Sequence, residues 1–315
     1  MPNFPWMSAP VAVVCVVAAP ALAWNDFGHM LSARLAYAQL TPAAKERLTA
    51  ILKKHPQYEA LADKCPLNTD KDLWVFLRAA TWPDMLRTTT NPLNATDHHA
   101  TWHYVNYPID REGMKGPAPE PVWKAGTDPA NILQALQKCA AELKDEKLPD
   151  ADKSKSLCWY LHLAGDLHQP LHATALFSKD FPKGDRGGNS FVVDNGGRIS
   201  RLHSIWDGIL ANDEIGANVD ARAKQLEQAP ELSKDSLKPD LANTTHVQWA
   251  QESYELAKTV VYANGDLKNA KPAGNDTLPT TAPTLPAKYI EEGRKVAEKR
   301  IVLAGIRIAE GLNTK

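Results

Sequence analysis

The chain has 315 residues, of which 43% are hydrophobic and 23% charged, the composition of a packed globular protein long enough to bury a sizeable core. A formal net charge of -1 excludes recognition of duplex nucleic acid through a broad phosphate-neutralising face, so any nucleic-acid partner must be held locally. Met1 to Ala23 carries no charged side chain, has an apolar run from Ala9 to Ala19 and ends in Ala21-Leu-Ala23, which reads as a signal peptide cleaved before Trp24. The run is shorter than the ~20 apolar residues of a membrane span, and no other stretch reaches that length. Two units are therefore expected: the leader over 1–23, and one folded domain over 24–315 exported to the periplasm or the external medium. With Cys15 removed, Cys65, Cys139 and Cys158 permit at most one internal disulfide, whose pairing the sequence leaves open.

Trp24-Asn-Asp-Phe-Gly-His29 leads into a helix predicted over 29–39, with Leu31, Leu35 and Ala36 as its buried stripe. A second helix takes Thr41 as N-cap and Pro42 as its first residue and runs to about Lys54. The next, over Lys71–Ala80, stops at Thr81-Trp-Pro-Asp84, where Pro83 turns the chain and is expected to expose Asp84. Asp84 and Arg87 are three apart, and read alone they are a surface ion pair.

Trp102-His-Tyr-Val-Asn-Tyr107 alternates aromatic and β-branched residues and predicts an extended piece in which His103 and Val105 share a side. His98 and His99 are adjacent and would point to opposite faces of such a chain, so neither is taken as a ligand. A Pro/Gly-rich loop over 113–127 precedes a helix from Asp128-Pro129 to about Leu143. The helix after it, from about Lys153, carries Leu161-His-Leu-Ala-Gly-Asp-Leu-His-Gln-Pro-Leu-His172. On a 3.6-residue repeat His162 and Asp166 project from one face one turn apart, among leucines that leave little water nearby. A carboxylate in that setting needs a strong partner, and a divalent cation is a natural one. Pro170 then breaks the helix and brings His172 round from outside.

Lys183-Gly-Asp-Arg-Gly-Gly-Asn189 reads as a flexible loop, followed by a β-hairpin whose strands, 190–193 and 198–202, flank Asp194-Asn-Gly-Gly197. Leu202-His203-Ser-Ile-Trp-Asp207 repeats the His/Asp spacing of the central helix. Two such pairs in one chain, with His29, His103 and His172 unassigned, argue for a polynuclear metal site. Plain helices are predicted over 217–228, 244–262 and 287–311, with Leu256, Val260, Ile290, Val296, Ile301 and Ile308 in the core and His55 and His246 as ordinary packed histidines.

Taken together, the motifs make the chain resemble the S1/P1 nuclease family of zinc-dependent single-strand nucleases, related in fold to bacterial zinc phospholipases C. They are Trp24 with His29, Trp82-Pro-Asp84, His103-Tyr-Val-Asn, His162-x-x-x-Asp166 with His172, Gly187-Gly-Asn189 and His203-x-x-x-Asp207. The resemblance implies a mainly α, single-domain helical fold with a small β-hairpin, and three zinc ions in a cleft. Asp84, His103, His162 and Asp166 would hold one ion. His172, His203 and Asp207 would hold the second. The third would take the free amine and carbonyl of Trp24, with His29 and a bridging Asp166. An α-amino group has a pKa of ~7.7–8.0, low enough for zinc to displace its proton near neutral pH, which an internal peptide nitrogen cannot offer.

The reaction implied is hydrolysis of the P–O3′ bond to leave 5′-phosphorylated products. Asp84 and Asp166 serve it as ligands, and Arg87 clamps charge on the phosphoryl oxygens. Tyr104 is the candidate platform for an unpaired base, with Asn106 and Asn189 as further substrate contacts. The chain departs from fungal members of the family in having Asn106 where they carry an Asp, and Ile209 where they carry an Asn. The substrate implied is single-stranded nucleic acid or a nucleotide, handled by a monomer with no stable membrane association. A phospholipase C-type phosphodiesterase is the nearest alternative, although those enzymes place Glu where this chain has Asp207. A non-catalytic zinc-binding protein is the alternative from another class, and the dispersal of the ligands over a folded scaffold argues against it.

Overall fold

A computed structural model describes residues 24–210, 217–272 and 276–314; the leader expected over Met1–Ala23 lies outside them. The chain is mainly helical, as expected. Helices α1 (Asp26–Gln39), α2 (Pro42–Leu52), α3 (Tyr58–Ala62), α4 (Lys71–Ala79), α5 (Trp82–Met85) and α6 (Asn94–Asp97) precede strand β1 (Tyr107–Asp110). Helices α7 (Ile132–Glu142) and α8 (Asp150–Asp166) come next, then β2 (Thr174–Phe177), β3 (Val192–Asn195) and β4 (Arg198–Arg201). The chain closes with α9 (Leu202–Asp207), α10 (Ala217–Glu227), α11 (Lys238–Leu241), α12 (His246–Leu256) and α13 (Tyr289–Asn313).

Local chemistry explains where these elements begin. Asn25 caps α1 by accepting from the Gly28 amide, Thr41 caps α2 with Pro42 behind it, and Asp70 caps α4 through the Leu73 amide. Asn131 caps α7, so that helix starts at Ile132 rather than at Pro129, and α8 starts at Asp150, ahead of the expected Lys153. Thr245 and Gln248 form a reciprocal capping box on α12. That helix passes at Ala257 into a π-helical turn ending at Val261, short of the expected continuous run to 262.

Two hydrophobic clusters fill the interior. The larger gathers α1, α2, α4, α7, α8 and α13 around residues such as Leu31, Trp82, Leu161 and Ile301. The second packs Leu171, Phe191, Trp206 and Tyr262 beneath the hairpin. Helix α8, buried almost without interruption from Ser154 to Asp166, runs through the first cluster and ends where the second begins. Ile301 and Ile308 are buried as predicted, whereas Leu256 is half-buried, and Val260, Ile290 and Val296 are half-buried against the clusters' edges.

The hairpin forms with Asn195 opposite Arg198, and Gly196 and Gly197 turn it at φ of 65° and 90°, a conformation that L side chains rarely adopt. Residues 100–103 are a 3₁₀ turn rather than the start of the extended piece, and β1 begins only at Tyr107. That strand pairs in parallel with β2, a partnership the sequence pattern did not reveal. Thr174–Phe177 is buried on both faces and too short for a period, and its partner lies some seventy residues away. Cys65, Cys139 and Cys158 are all free thiols, which decides the pairing question for the described residues. No helix among those residues is long and apolar enough to cross a membrane.

Candidate metal centre

The site is built on the C-terminal end of α8, at the seam between the two clusters. His162 and Asp166 are fully buried there, with Nε2 of the histidine 3.2 Å from Oδ2 of the aspartate. The His162 ring is oriented by its other nitrogen, which donates to the Ala80 carbonyl at 2.8 Å; a carbonyl only accepts, so Nδ1 carries a proton and Nε2 is the atom turned towards Asp166. His172 and His203 follow the same rule, with Nδ1 donating at 2.6 Å to the carbonyls of His103 and Gly187 respectively. Backbone thus fixes three imidazole tautomers before any ligand arrives.

The other members come from distant parts of the chain. His103, at the end of the 3₁₀ turn, places Nδ1 3.1 Å from Asp166 Oδ2 and 3.0 Å from His162 Nε2. His29, from α1, stacks on His162 at 3.8 Å between ring centroids and brings Nε2 within 3.2 Å of Asp166 Oδ1. Gly165 makes this stacking possible, because a Cβ there would stand 3.1 Å from His29 Nδ1. Asp84 lies 3.8 Å from His162 and is buried, correcting the expectation that Pro83 would expose it. Pro83 instead starts the one-turn helix α5, which lays Asp84 against α8, and Arg87 pairs with it at 2.7 Å as a largely buried ion pair rather than a surface one. Asp207 receives Gln169 Nε2 on Oδ1 at 2.8 Å and holds Oδ2 3.5 Å from His203 Nε2. Trp24 is buried, its indole donates to the Gly165 carbonyl at 3.0 Å, and the next amide, of Asn25, donates to the Asp207 carbonyl at 3.2 Å. The residue expected to begin the mature chain is thereby pinned between α8 and α9, the two helices that carry His/Asp pairs.

Three groups of side chains among the described residues could hold a metal ion: His29, Asp84 and His162; His103, His162 and Asp166, which share His162 with the first; and His172, His203 and Asp207. Their electrostatics fit a cation. Burial, followed by neighbouring cationic groups, pushes the imidazole of His103 down to about 4 and that of His203 to about 3, so both are neutral lone-pair donors at neutral pH. Burial opposes the charge on Asp166, but the charges of His162 and His172 and the hydrogen bonds of His103 and His162 outweigh it and hold the carboxyl well below its usual range. Asp207 goes the other way: burial first, then the charges of Asp166 and Asp84, push it well above the usual carboxylate range despite the Gln169 hydrogen bond. Protein groups alone leave that carboxylate unneutralised, which is the deficit a divalent cation fills. The Nε2 atoms of His103 and His172 and Oδ2 of Asp207 are also buried without a hydrogen-bond partner, as expected of groups reserved for a metal.

Beside the cluster opens a cleft of about 590 Å³. The expected substrate contacts Tyr104, Asn106 and Asn189 line it together with Arg87, His103, His172 and His203. Tyr104 keeps 39% of its surface exposed towards solvent. The structure adds groups that motif spacing did not single out. His98, set aside as a ligand, lines the cleft, and so do Lys183, Arg186, Arg201 and Asp276. His99 stacks flat on Trp102 at 3.8 Å. Nor is the 183–189 loop free to flex: Asp185 is fully buried and accepts from the amides of Leu176 and Gly188 and from the Tyr262 hydroxyl. Those partners are far from Asp185 in sequence or hidden in backbone amides, where composition gives no signal.

Comparison with known proteins follows this geometry. A family model described as S1/P1 Nuclease matches residues 24–315. Endonuclease 4 of Arabidopsis thaliana is 26% identical over 322 aligned residues, covering 97% of this chain and 93% of the plant protein. Endonuclease 5 of the same plant is 25% identical, covering 93% of this chain and 90% of its own. Nuclease P1 of Penicillium citrinum is 26% identical over 196 residues, which cover 58% of this chain and 65% of the fungal protein.

Proposed function

The chain belongs to the S1/P1 nuclease family, and from that premise we propose that it is a zinc-dependent enzyme hydrolysing single-stranded nucleic acid at the P–O3′ bond, leaving 5′-phosphorylated products. Water adds across the bond: its oxygen joins phosphorus, and the O3′ departs with a proton. Asp84, His103, His162 and Asp166 would hold one zinc ion, and His172, His203 and Asp207 a second. The amine and carbonyl of Trp24, with His29 and Asp166 as a bridge, would hold a third. When bound, the ions supply Lewis acidity and lower the pKa of water in the site to about 7.

The chain's own residues do the rest. Arg87, on the cleft wall and oriented by Asp84, aims a planar cation at the phosphoryl oxygens, where negative charge grows during attack. Tyr104 offers its half-exposed face to an unpaired base, which a stacked duplex would not present. Asn106 and Asn189 stand on the same cleft to take polar atoms of the substrate. Because the third site uses the Trp24 amine, the reading carries removal of Met1–Ala23 and export with it. The mature protein is proposed to act as a monomer, free of stable membrane association.

The observation that carries this reading is the meeting of His29, His103, His162, His172 and Asp166 around shared ligand atoms from four separate stretches of chain. The test is zinc stoichiometry by elemental analysis of protein beginning at Trp24 and of protein with Met preceding Trp24, with parallel assays on single-stranded DNA, RNA and phosphatidylcholine. Three zinc ions against two, and cleavage of nucleic acid to 5′-phosphate ends by the first form, are expected. Equal zinc in both forms would remove the amine from the ligand set, and activity on phosphatidylcholine alone would replace nuclease with phospholipase.

A further inference from the structure

The chain as a whole carries a net charge of -1, yet one wall of its cleft is cationic. Lys183, Arg186 and Arg201 line it, and Asp276 is the carboxylate that shares that rim. Arg186 meets Asp276 Oδ2 at 2.9 Å and Arg201 meets Oδ1 at 3.2 Å, so two guanidinium groups already grip one small oxyanion between them. Arg201 is 8% exposed and held in place by its bonds to the Asn189 and Asp276 carbonyls. Lys183 is exposed and makes no hydrogen bond or ion pair among the described residues. This wall therefore holds more positive charge than its own acid neutralises.

Its distance from the metal ligands is set by covalent and packing constraints. The Gly187 carbonyl, one residue after Arg186, accepts from His203 Nδ1, and the Gly188 carbonyl accepts the His203 amide. Gly187 is at φ +59°, and a Cβ there would meet the Leu171 carbonyl at 2.5 Å, so the loop lies directly on the segment that bears His172. Buried Asp185 ties the loop's other side to β2. Cations mounted on so rigid a support are placed to meet an anion at a constant offset from the reacting centre.

We propose that Lys183 and Arg186, with Arg201 positioning Asp276 and the rim, form a phosphate subsite that takes a backbone phosphate of a single strand adjacent to the scissile one. The inference rests on the nuclease reading and deepens it: the enzyme favours substrates with several phosphates over a dinucleotide, which has only the bond to be cut. A cationic wall of this kind acts on binding of the strand and is screened by salt.

The experiment compares kcat/KM of the zinc-loaded native enzyme and of Lys183→Gln/Arg186→Gln on a ten-residue single-stranded oligonucleotide and on a dinucleotide, each over a range of salt. Both side chains are exposed, so the pair of substitutions leaves the core intact. Lys179→Gln, on the surface outside the cleft, is the control for general charge. The double variant is expected to lower the ratio of oligonucleotide to dinucleotide kcat/KM about 10-fold or more, and to flatten the salt slope for the oligonucleotide by about 0.7, the contribution of one single-strand phosphate. The control should leave the ratio where it was. A ratio unmoved in the double variant, or lowered equally in the control, overturns the subsite while leaving the nuclease reading standing. A native enzyme that cuts neither substrate overturns both.

Discussion

A histidine can serve as a dependable metal ligand only when something else fixes its proton, and the carbonyls of Ala80, His103 and Gly187 do so for the candidate ligands His162, His172 and His203. The histidines themselves were legible because helical spacing puts His162 with Asp166 and His203 with Asp207 on one face. The carbonyls were not, because every residue carries one and only the fold selects which is near. The same limit applies to His168, two residues past Asp166. It projects away from the cluster, donates to the Ala164 carbonyl and meets Arg307 at 2.8 Å. Arg87 was singled out by resemblance, and its ion pair with buried Asp84 supports that choice. Replacing Arg87 with Ala is expected to lower kcat by a factor of order 10²–10³ with zinc content unchanged, as measured by steady-state kinetics alongside elemental analysis. A near-normal kcat would remove the clamp role.

Among elements, α1 and α13 pack extensively against each other, and the crossing is tight. Gly305 sits where a Cβ would come within 2.6 Å of Leu35 Cβ and 3.2 Å of the Ser32 carbonyl. Both neighbours belong to a packed helix that also carries His29. Gly305→Ala should gain ~1 kcal/mol of helix propensity and lose more to overpacking, for a net destabilisation of about 1–2 kcal/mol read from the urea midpoint. A more stable variant would show that the helices can part without cost. The end of α8 is held by a second device. Arg300 donates to the His168 carbonyl and Ser253 to that of Leu167, while Glu252 pairs with both Arg300 and Arg307. Burial opposes its charge, but the two arginines hold the Glu252 carboxyl down at about 2. Since each arginine is 2% exposed, Glu252→Ala leaves two buried cations uncompensated and should cost about 3–5 kcal/mol in unfolding free energy. Helix boundaries around these contacts were readable from caps and period. The cluster itself was not, because Glu252, Arg300 and Arg307 look like ordinary charged helix residues until α12 and α13 are packed together.

For the molecule as a whole, packed histidines outside the candidate metal cluster, buried His55 and half-buried His246, set an acid limit. Burial, with Lys155 nearby, lowers His55 to about 4, and burial lowers His246 to about 4, against ~6.5 in the unfolded chain. Between those values the unfolded chain binds more protons than the folded one, so stability rises with pH there and is lost as pH falls from ~6.5 towards 4. Thermal unfolding of the metal-stripped protein should show Tm falling across that window, with a shallower fall in His55→Asn; parallel curves for the two proteins would exclude His55 as a contributor. Sequence alone determined the main helices, the hairpin and the two His/Asp pairs one turn apart, because period, turn chemistry and donor type are local properties written into short stretches; the full set of nine candidate ligands, Trp24 and Asp84 among them, came from the family resemblance. Tertiary structure alone decided that Asp84 is buried, that β1 joins β2, that the 183–189 loop is tied down through Asp185 and cationic towards the cleft, and that the three cysteines remain unpaired. Each of these depends on which distant residues share a neighbourhood, and chain proximity carries no record of that.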